Sequence, residues 1–206
     1  MILTDTEWQI VALSLKVSLA ATFGTLPIAF ALAWVLARTR FAGKVLLDAV
    51  VHLPLVLPPV VTGYILLVLF APNAPARAAL GAIGLTLAFK WTGAVLAAIV
   101  MGFPLMVRAI RLAIEAVEPR LEEAARDLYA NPRAVFRYVT FPLVLPGILG
   151  AALLGFSLSF DDFIISFFNA GTLVTFPIYI WGAAQRGIPV QVNALATIVF
   201  LVALTV

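Results

Sequence analysis

The sequence predicts an all-α, polytopic membrane protein, and three observations carry that prediction. Of 206 residues, 64% are hydrophobic and 11% are charged, with a mean hydropathy of +1.12; such a chain cannot cover itself with polar surface in water. Its apolar residues gather in runs of roughly 20, the length a helix needs to cross the hydrocarbon core. The remaining charge is clustered, with eight of the 13 bases and 10 acids lying between Val117 and Gly147. The net charge of +3 is too small to indicate a nucleic-acid partner. The absence of cysteine excludes disulfides and thiolate metal sites.

The first predicted span is Val17–Ala37, interrupted only by Gly24 and Pro27 and open to extension toward Trp8. Lys16 stands at its outer end, where a long side chain reaches the headgroups. Asp5 and Glu7 precede it in place of a basic region and cleavage site, so the first helix is expected to be retained. The loop Arg38 to Lys44 is short and basic. Leu46–Phe70 is the second span. Its Pro54, Pro58 and Pro59 take donors from the helical ladder, tolerable in lipid only where neighbouring helices or a wet cavity satisfy the freed carbonyls. It reads equally as a kinked packing helix or as a pathway-lining one, with Pro58, Pro59 and Thr62 as pathway candidates.

Ala71 to Lys90, with Pro72, Asn73 and Pro75, is a loop followed by a semi-apolar stretch. Trp91–Val107 is the third span, and Gly102 with Pro104 predicts a bend near its inner end. Phe141–Phe160 is the fourth, closed by Asp161 and Asp162. Phe163–Trp181 contains Asn169, Gly171, Thr172, Thr175 and Pro177; it reads as a re-entrant or surface helix, or as a further span. The last span starts near Asn193 and, at 14 residues to Val206, is expected to be truncated within a helix. The total is five spans, or six if Phe163–Trp181 crosses.

Bases in short loops set orientation. The first loop holds Arg38, Arg40 and Lys44, and Arg108 to Arg137 holds six bases, against Arg77 and Lys90 between them. The first loop and the charged island are therefore expected in the cytoplasm and the N-terminus outside.

Within the island, Pro119 suits a first helical turn, with Glu122 and Glu123 near its positive end. Leu121, Ala124, Ala125, Leu128 and Tyr129 recur at helical spacing, predicting an apolar stripe turned inward with the charges outward. Asn131-Pro132 ends this helix and starts a second, faced by Val135, Phe136 and Val139. Pro142 and Pro146 mark the return to the bilayer. Periodicity alone also suits an ordinary amphipathic connector.

Glu123-Ala124-Ala125, Asn131-Pro132, Phe136, Phe141-Pro142 and Pro146-Gly147 together resemble the EAA loop of ABC importer permeases, over residues 117–147. The resemblance implies a type I importer transmembrane domain spanning 1–206. Its coupling helix would dock on a separate ATPase subunit pair through Glu122, Glu123, Ala124, Ala125, Asp127, Tyr129, Asn131 and Pro132. It further implies a second permease copy and an extracytoplasmic binding protein. No cofactor is expected on this chain, which has no Walker-type glycine loop; ATP and Mg²⁺ would sit on the ATPase partner. Two positions depart from the pattern: Tyr129 replaces a glycine and Phe141 a leucine.

The segments MILTDTEWQ, HLPLVLPPVVTGY, KWTGAVLAAIVM and FPLMVRAIRLAIE are similar to molybdate permeases, implying molybdate, or tungstate, as cargo. FSLSFDDFIISFF and NALATIVF are more similar to spermidine and putrescine permeases. That difference matters electrostatically, because Asp161 and Asp162 in a pathway would repel a dianion and attract a polyamine. The same pair at the water interface, or capping the next helix, would do neither. His52 is the single histidine and has no spaced second ligand, so it reads as a packing or interfacial residue. A secondary transporter or channel would call for paired half-length repeats and charges within several spans, which the sequence does not present. A structural membrane scaffold is a third class, one that would bind no ATPase subunit.

Overall fold

The computed structural model describes residues 5–70, 74, 90–187 and 190–205. All regular structure among them is helical. Helix α1 is Asp5–Arg38, α2 Lys44–Val56, α3 Pro59–Leu69 and α4 Trp91–Glu115. Helices α5 (Pro119–Asp127) and α6 (Pro132–Val135) form the charged island, and a π-helical turn over Phe136–Thr140 leads into α7, Phe141–Asp161. Short α8 (Ile164–Asn169), α9 (Phe176–Arg186) and α10 (Val190–Thr205) follow. Among the described residues, three helical stretches are long and apolar enough to cross a membrane, or four if α2 and α3 together make one span. Helix α10 adds a further apolar helix of 16 residues.

The first span begins earlier than its predicted core, because α1 runs through the polar residues from Asp5 onward. The second span is two helices. Leu57, preceding Pro58, adopts extended dihedrals of φ −76° and ψ 139°, as the residue before a proline is driven to do. Pro58 and Pro59 supply no amide, and the ladder restarts with Pro59 as the first residue of α3. The third span also differs: α4 continues unbroken past Pro104 and Val107 to Glu115. Most of the loop predicted over Ala71 to Lys90 lies outside the described residues.

The fold comprises two units. One contains Ala20–Pro58 and Ile99–Ser159. Its core joins Ala29, Ala33 and Leu36 of α1 with Val107, Ile110 and Ile114 of α4 and Val144, Ile148 and Ala151 of α7. Each set repeats at three- and four-residue steps, the stripe that one helix face presents. Between lipid-facing helices there is little hydrophobic gain, so close backbone approach and dispersion hold such a bundle. Two glycines provide it: a Cβ at Gly147 would overlap that of Ala113, and one at Gly155 would meet the Met106 sulfur.

The other unit contains Met1–Leu19, Pro59–Ala98 and Phe160–Val206. Val17, Ala94 and Ala170 are buried together, and Lys16 Nζ lies 4.1 Å from the Trp91 ring centroid. Helix α3 packs closely on α8, with Gly63 against Ile165 and Phe168 and Asn169 Nδ2 donating to the carbonyls of Gly63 (3.4 Å) and Ile165 (3.0 Å). Ser14 Oγ accepts from the Phe176 amide at 2.7 Å, and the Tyr179 hydroxyl donates to Glu7 at 3.0 Å.

The tight α4–α7 approach predicts that Gly147→Leu destabilises the bundle by about 1–3 kcal/mol. Thermal unfolding of the purified chain in detergent should show a lowered midpoint, with Gly150→Leu as the control, since Gly150 has open space around its Cα.

Candidate functional site

The charged island folds as predicted in its chain path and differently in its facing. Helix α5 starts with Pro119 in its first turn, after Glu118 in extended conformation. Asn131 Oδ1 accepts the Ala134 amide at 2.8 Å, capping α6, and Pro132 follows where a missing amide costs nothing.

The end of α5 is a Schellman turn. The amide of Tyr129 reaches the Arg126 carbonyl at 2.9 Å and that of Ala130 the Ala125 carbonyl at 3.1 Å. This hydrogen-bond pair requires a left-handed residue at its apex. That residue is Tyr129, with φ 62°, the one non-glycine with positive φ among the described residues. Glycine adopts this conformation without a steric cost, which accounts for its place in the pattern the loop resembles. Tyrosine pays for it, and its side chain is left 99% exposed.

The predicted inward stripe is corrected by the structure. Leu121, Leu128 and Tyr129 are exposed, as is Ala124, while Ala125 is only half-buried. The residue of α5 that turns inward is Glu122, 7% exposed. Its two oxygens accept from Arg38 Nη1 at 3.1 Å and Nη2 at 2.5 Å. Thr140 Oγ1 donates to it at 2.7 Å, and Arg126 Nη2 lies 3.6 Å away. A bidentate guanidinium on a buried carboxylate outweighs the burial of leucine here, because Glu122 left buried without its partner would be costly. Burial by itself pushes the Glu122 carboxyl up. The hydrogen bonds from Thr140 and Arg38 and the charges of Arg38 and Arg126 outweigh that effect and hold it below its ordinary value of 4.5.

An aromatic contact adds to this polar one. Phe136 packs edge-on to Trp34 at 5.2 Å between centroids and lies 6.5 Å from Phe30 and 5.9 Å from Phe141. The Arg38 guanidinium sits 5.4 Å from the Trp34 ring. Val135 is buried, and Phe136 and Val139 are half-buried, so the second short helix faces as predicted. The loop is thus held by one side and open on the other, where Glu123, Ala124, Asp127, Tyr129, Asn131 and Pro132 are exposed.

The pathway candidates are not gathered into one place. Pro58 and Pro59 form the break between α2 and α3. Thr62 is buried within α3. Asp161 is exposed at the end of α7. Asp162 Oδ1 accepts the Ile165 amide in the first turn of α8 at 3.2 Å, one residue ahead of the N-cap position, Phe163; its Oδ2 is buried without a hydrogen bond. His52 Nδ1 contacts the carbonyl of Asp48, one turn earlier in α2, at 2.8 Å. Sequence reasoning missed Arg38 and Thr140 as partners of the loop. They stand 84 and 18 positions from Glu122, beyond any helical period, and the one available signal was an arginine closing an apolar span.

A bundle of apolar helices that holds a short charged helix pair is the architecture of a multi-pass membrane protein. A family model described as "Binding-protein-dependent transport system inner membrane component" matches residues 25–206, and the chain belongs to that family: it is a multi-pass inner-membrane permease of the ABC importer type. Over 168 residues it is 55% identical to the molybdenum transport system permease protein ModB of Escherichia coli (strain K12), covering 79% of this chain and 72% of that protein. Identity to the ModB protein of Haemophilus influenzae is 44%, over 87% and 76% of the two chains. The sulfate transport system permease protein CysT of Salmonella typhimurium is 34% identical, over 69% and 51%. Two solved structures share the fold. One is an amino acid ABC transporter, with a TM-score of 0.66 at 21% identity, covering 97% of this chain and 88% of that one. The other is the inward-facing MetNI methionine transporter, at 0.70 and 18%, covering 98% and 94%.

Two outcomes follow from this geometry. Tyr129→Gly should stabilise the loop by about 1 kcal/mol, by removing the left-handed penalty, seen as a raised unfolding midpoint. The Glu122 carboxyl titrates lower folded than unfolded, so its contribution is complete above 4.5 and is lost as pH falls below that value. Between about pH 6 and about pH 3.5 the unfolding midpoint should therefore drop further in the wild type than in Glu122→Gln. Equal drops would refute the assignment.

Proposed function

We propose that this chain is the membrane subunit of an importer for molybdate, with tungstate as a close analogue. The observation that carries the reading is the 55% identity to a molybdenum transport permease across 79% of the chain. The 34% identity to a sulfate permease favours sulfate as the second reading. Molybdate and sulfate share a tetrahedral dianionic form, so the two relatives agree on the chemistry of the cargo. The polyamine alternative rested on Asp161 and Asp162; the Ile165 amide bonds one oxygen of Asp162, which gives that carboxylate a partner within the protein.

In this reading two copies of the chain form the pathway, an extracytoplasmic binding protein delivers the anion, and a pair of ATPase subunits carries ATP and Mg²⁺. The exposed side of the α5–α6 loop docks on the ATPase in the cytoplasm. Its anchored side, through Glu122–Arg38 and Phe136–Trp34, passes the displacement to α1 and α7. A short helix tied to two long ones by a bidentate ion pair and packed rings moves them as one body, since neither tie survives sliding by a turn.

Uptake of labelled molybdate, sulfate and spermidine, compared in proteoliposomes of the assembled transporter, tests the cargo. Molybdate uptake should dominate, and spermidine uptake above background would overturn the oxyanion reading. Glu123→Arg should abolish stimulation of ATP hydrolysis by the loaded binding protein while leaving membrane insertion intact; unchanged stimulation would remove Glu123 from the docking face.

A further inference from the structure

A second polar cluster lies away from the loop. Asp48 and His52 of α2, with Arg108, Arg111, Leu112 and Glu115 of α4, line an open cleft of about 360 Å³, within the ~300–1,000 Å³ range of small-ligand sites. Its charges are ordered. Arg111 is paired with two carboxylates, with Nε 2.8 Å from Glu115 Oε1 and Nη1 3.2 Å from Asp48 Oδ1. Arg108 is exposed and pairs with no carboxylate among the described residues. His52 Nδ1 donates to the Asp48 carbonyl at 2.8 Å, with the Asp48 carboxylate 3.5 Å away; in the neutral ring Nε2 is then an acceptor. The cleft therefore offers one unpaired guanidinium and a set of acceptors: His52 Nε2 and the second oxygens of Asp48 and Glu115.

The level of the cleft is set by α4. Trp91 begins the helix and lies under Lys16, the aromatic-and-base pairing of a membrane interface. From Trp91 to Arg111 a helix rises about 30 Å, the thickness of the hydrocarbon core. Arg108 and Arg111 thus stand at the opposite headgroup level. Beside them α2 has no buried residue, and past Asp48 its Val50, Leu53 and Val56 are more than half exposed, an apolar face on the acyl-chain side of the cleft.

We propose that this cleft holds the headgroup of a phospholipid bearing a primary amine. The phosphate pairs with Arg108, and the ammonium donates to Asp48, Glu115 and His52 Nε2. A free oxyanion would gain Arg108 and meet two carboxylates; a simple cation would gain those carboxylates and meet Arg108. A zwitterion with both ends satisfies the whole cleft, and its chains cover the outward side of α2. This site is independent of the cargo assignment.

The test is lipid retention by the full chain in phosphatidylcholine vesicles doped with equal fractions of phosphatidylethanolamine and phosphatidylglycerol, read by native mass spectrometry after partial delipidation. Phosphatidylethanolamine should be retained in preference to both others. Arg108→Ala should lower that retention about tenfold, the loss of one charge-assisted contact, while Arg108→Lys keeps most of it and circular dichroism shows both variants helical. Glu115→Gln should narrow the preference over phosphatidylcholine, whose quaternary nitrogen donates no hydrogen bond. Equal retention of phosphatidylglycerol, displacement of the lipid by inorganic phosphate, or full retention by Arg108→Ala would each overturn the proposal.

Discussion

The loop depends on one interaction, the buried carboxylate of Glu122 held in the fork of Arg38 and bonded by Thr140. Three separated segments meet there: the end of α1, the first turns of α5 and the turn before α7. Such a pair is weak evidence of stability, but removing Arg38 strands the buried Glu122 carboxylate. The contact therefore fixes geometry more than it adds free energy, and the rotation of α5 follows from it. With Glu122 inward, a nine-residue helix must present Leu121, Ala124 and Leu128 elsewhere, and they face outward. Neighbouring acids thus have opposite surroundings, Glu122 among side chains of its own protein and Glu123 in the open.

Tyr129 shows how a local backbone demand and an exposed surface can share one residue. The Schellman hydrogen bonds to the Arg126 and Ala125 carbonyls are satisfied only with positive φ at position 129. A glycine there would supply the conformation and nothing else. Tyrosine supplies the same conformation with strain and adds a ring fully in the open beside Leu128. Strain kept at an exposed turn concentrates where partners meet proteins, consistent with the docking face proposed for this side of the loop.

The break between α2 and α3 follows another rule. Hydrocarbon offers no hydrogen bonds, so a span may lose its ladder only where protein or water takes over. Pro58-Pro59 removes two consecutive donors, and Leu57 turns extended. Past the break, α3 is received by α8, where Gly63 allows close approach and Asn169 donates to the Gly63 carbonyl. The prolines alone left a kinked helix and a pathway helix equally open; the packing of α3 is what the chain does with them.

Composition and apolar run length by themselves determined that this is a helical, multi-pass membrane protein, because lipid leaves the backbone few alternatives. Proline and asparagine placement determined the course of the island, since Pro119, Asn131 and Pro132 act within a single turn. Facing was beyond the sequence. The stripe Leu121, Ala124, Ala125, Leu128 and Tyr129 has the period of a buried face, and periodicity reports only that one face differs from another. Which face turns inward was decided by Arg38 and Thr140, brought from 84 and 18 positions away. The acid pair behaved likewise: sequence adjacency marked Asp161 and Asp162 together, and the fold left one exposed and turned the other toward the Ile165 amide of α8. Local steric rules act through neighbours in the chain and can be read there, whereas the cost of burying a charge depends on what tertiary folding places beside it.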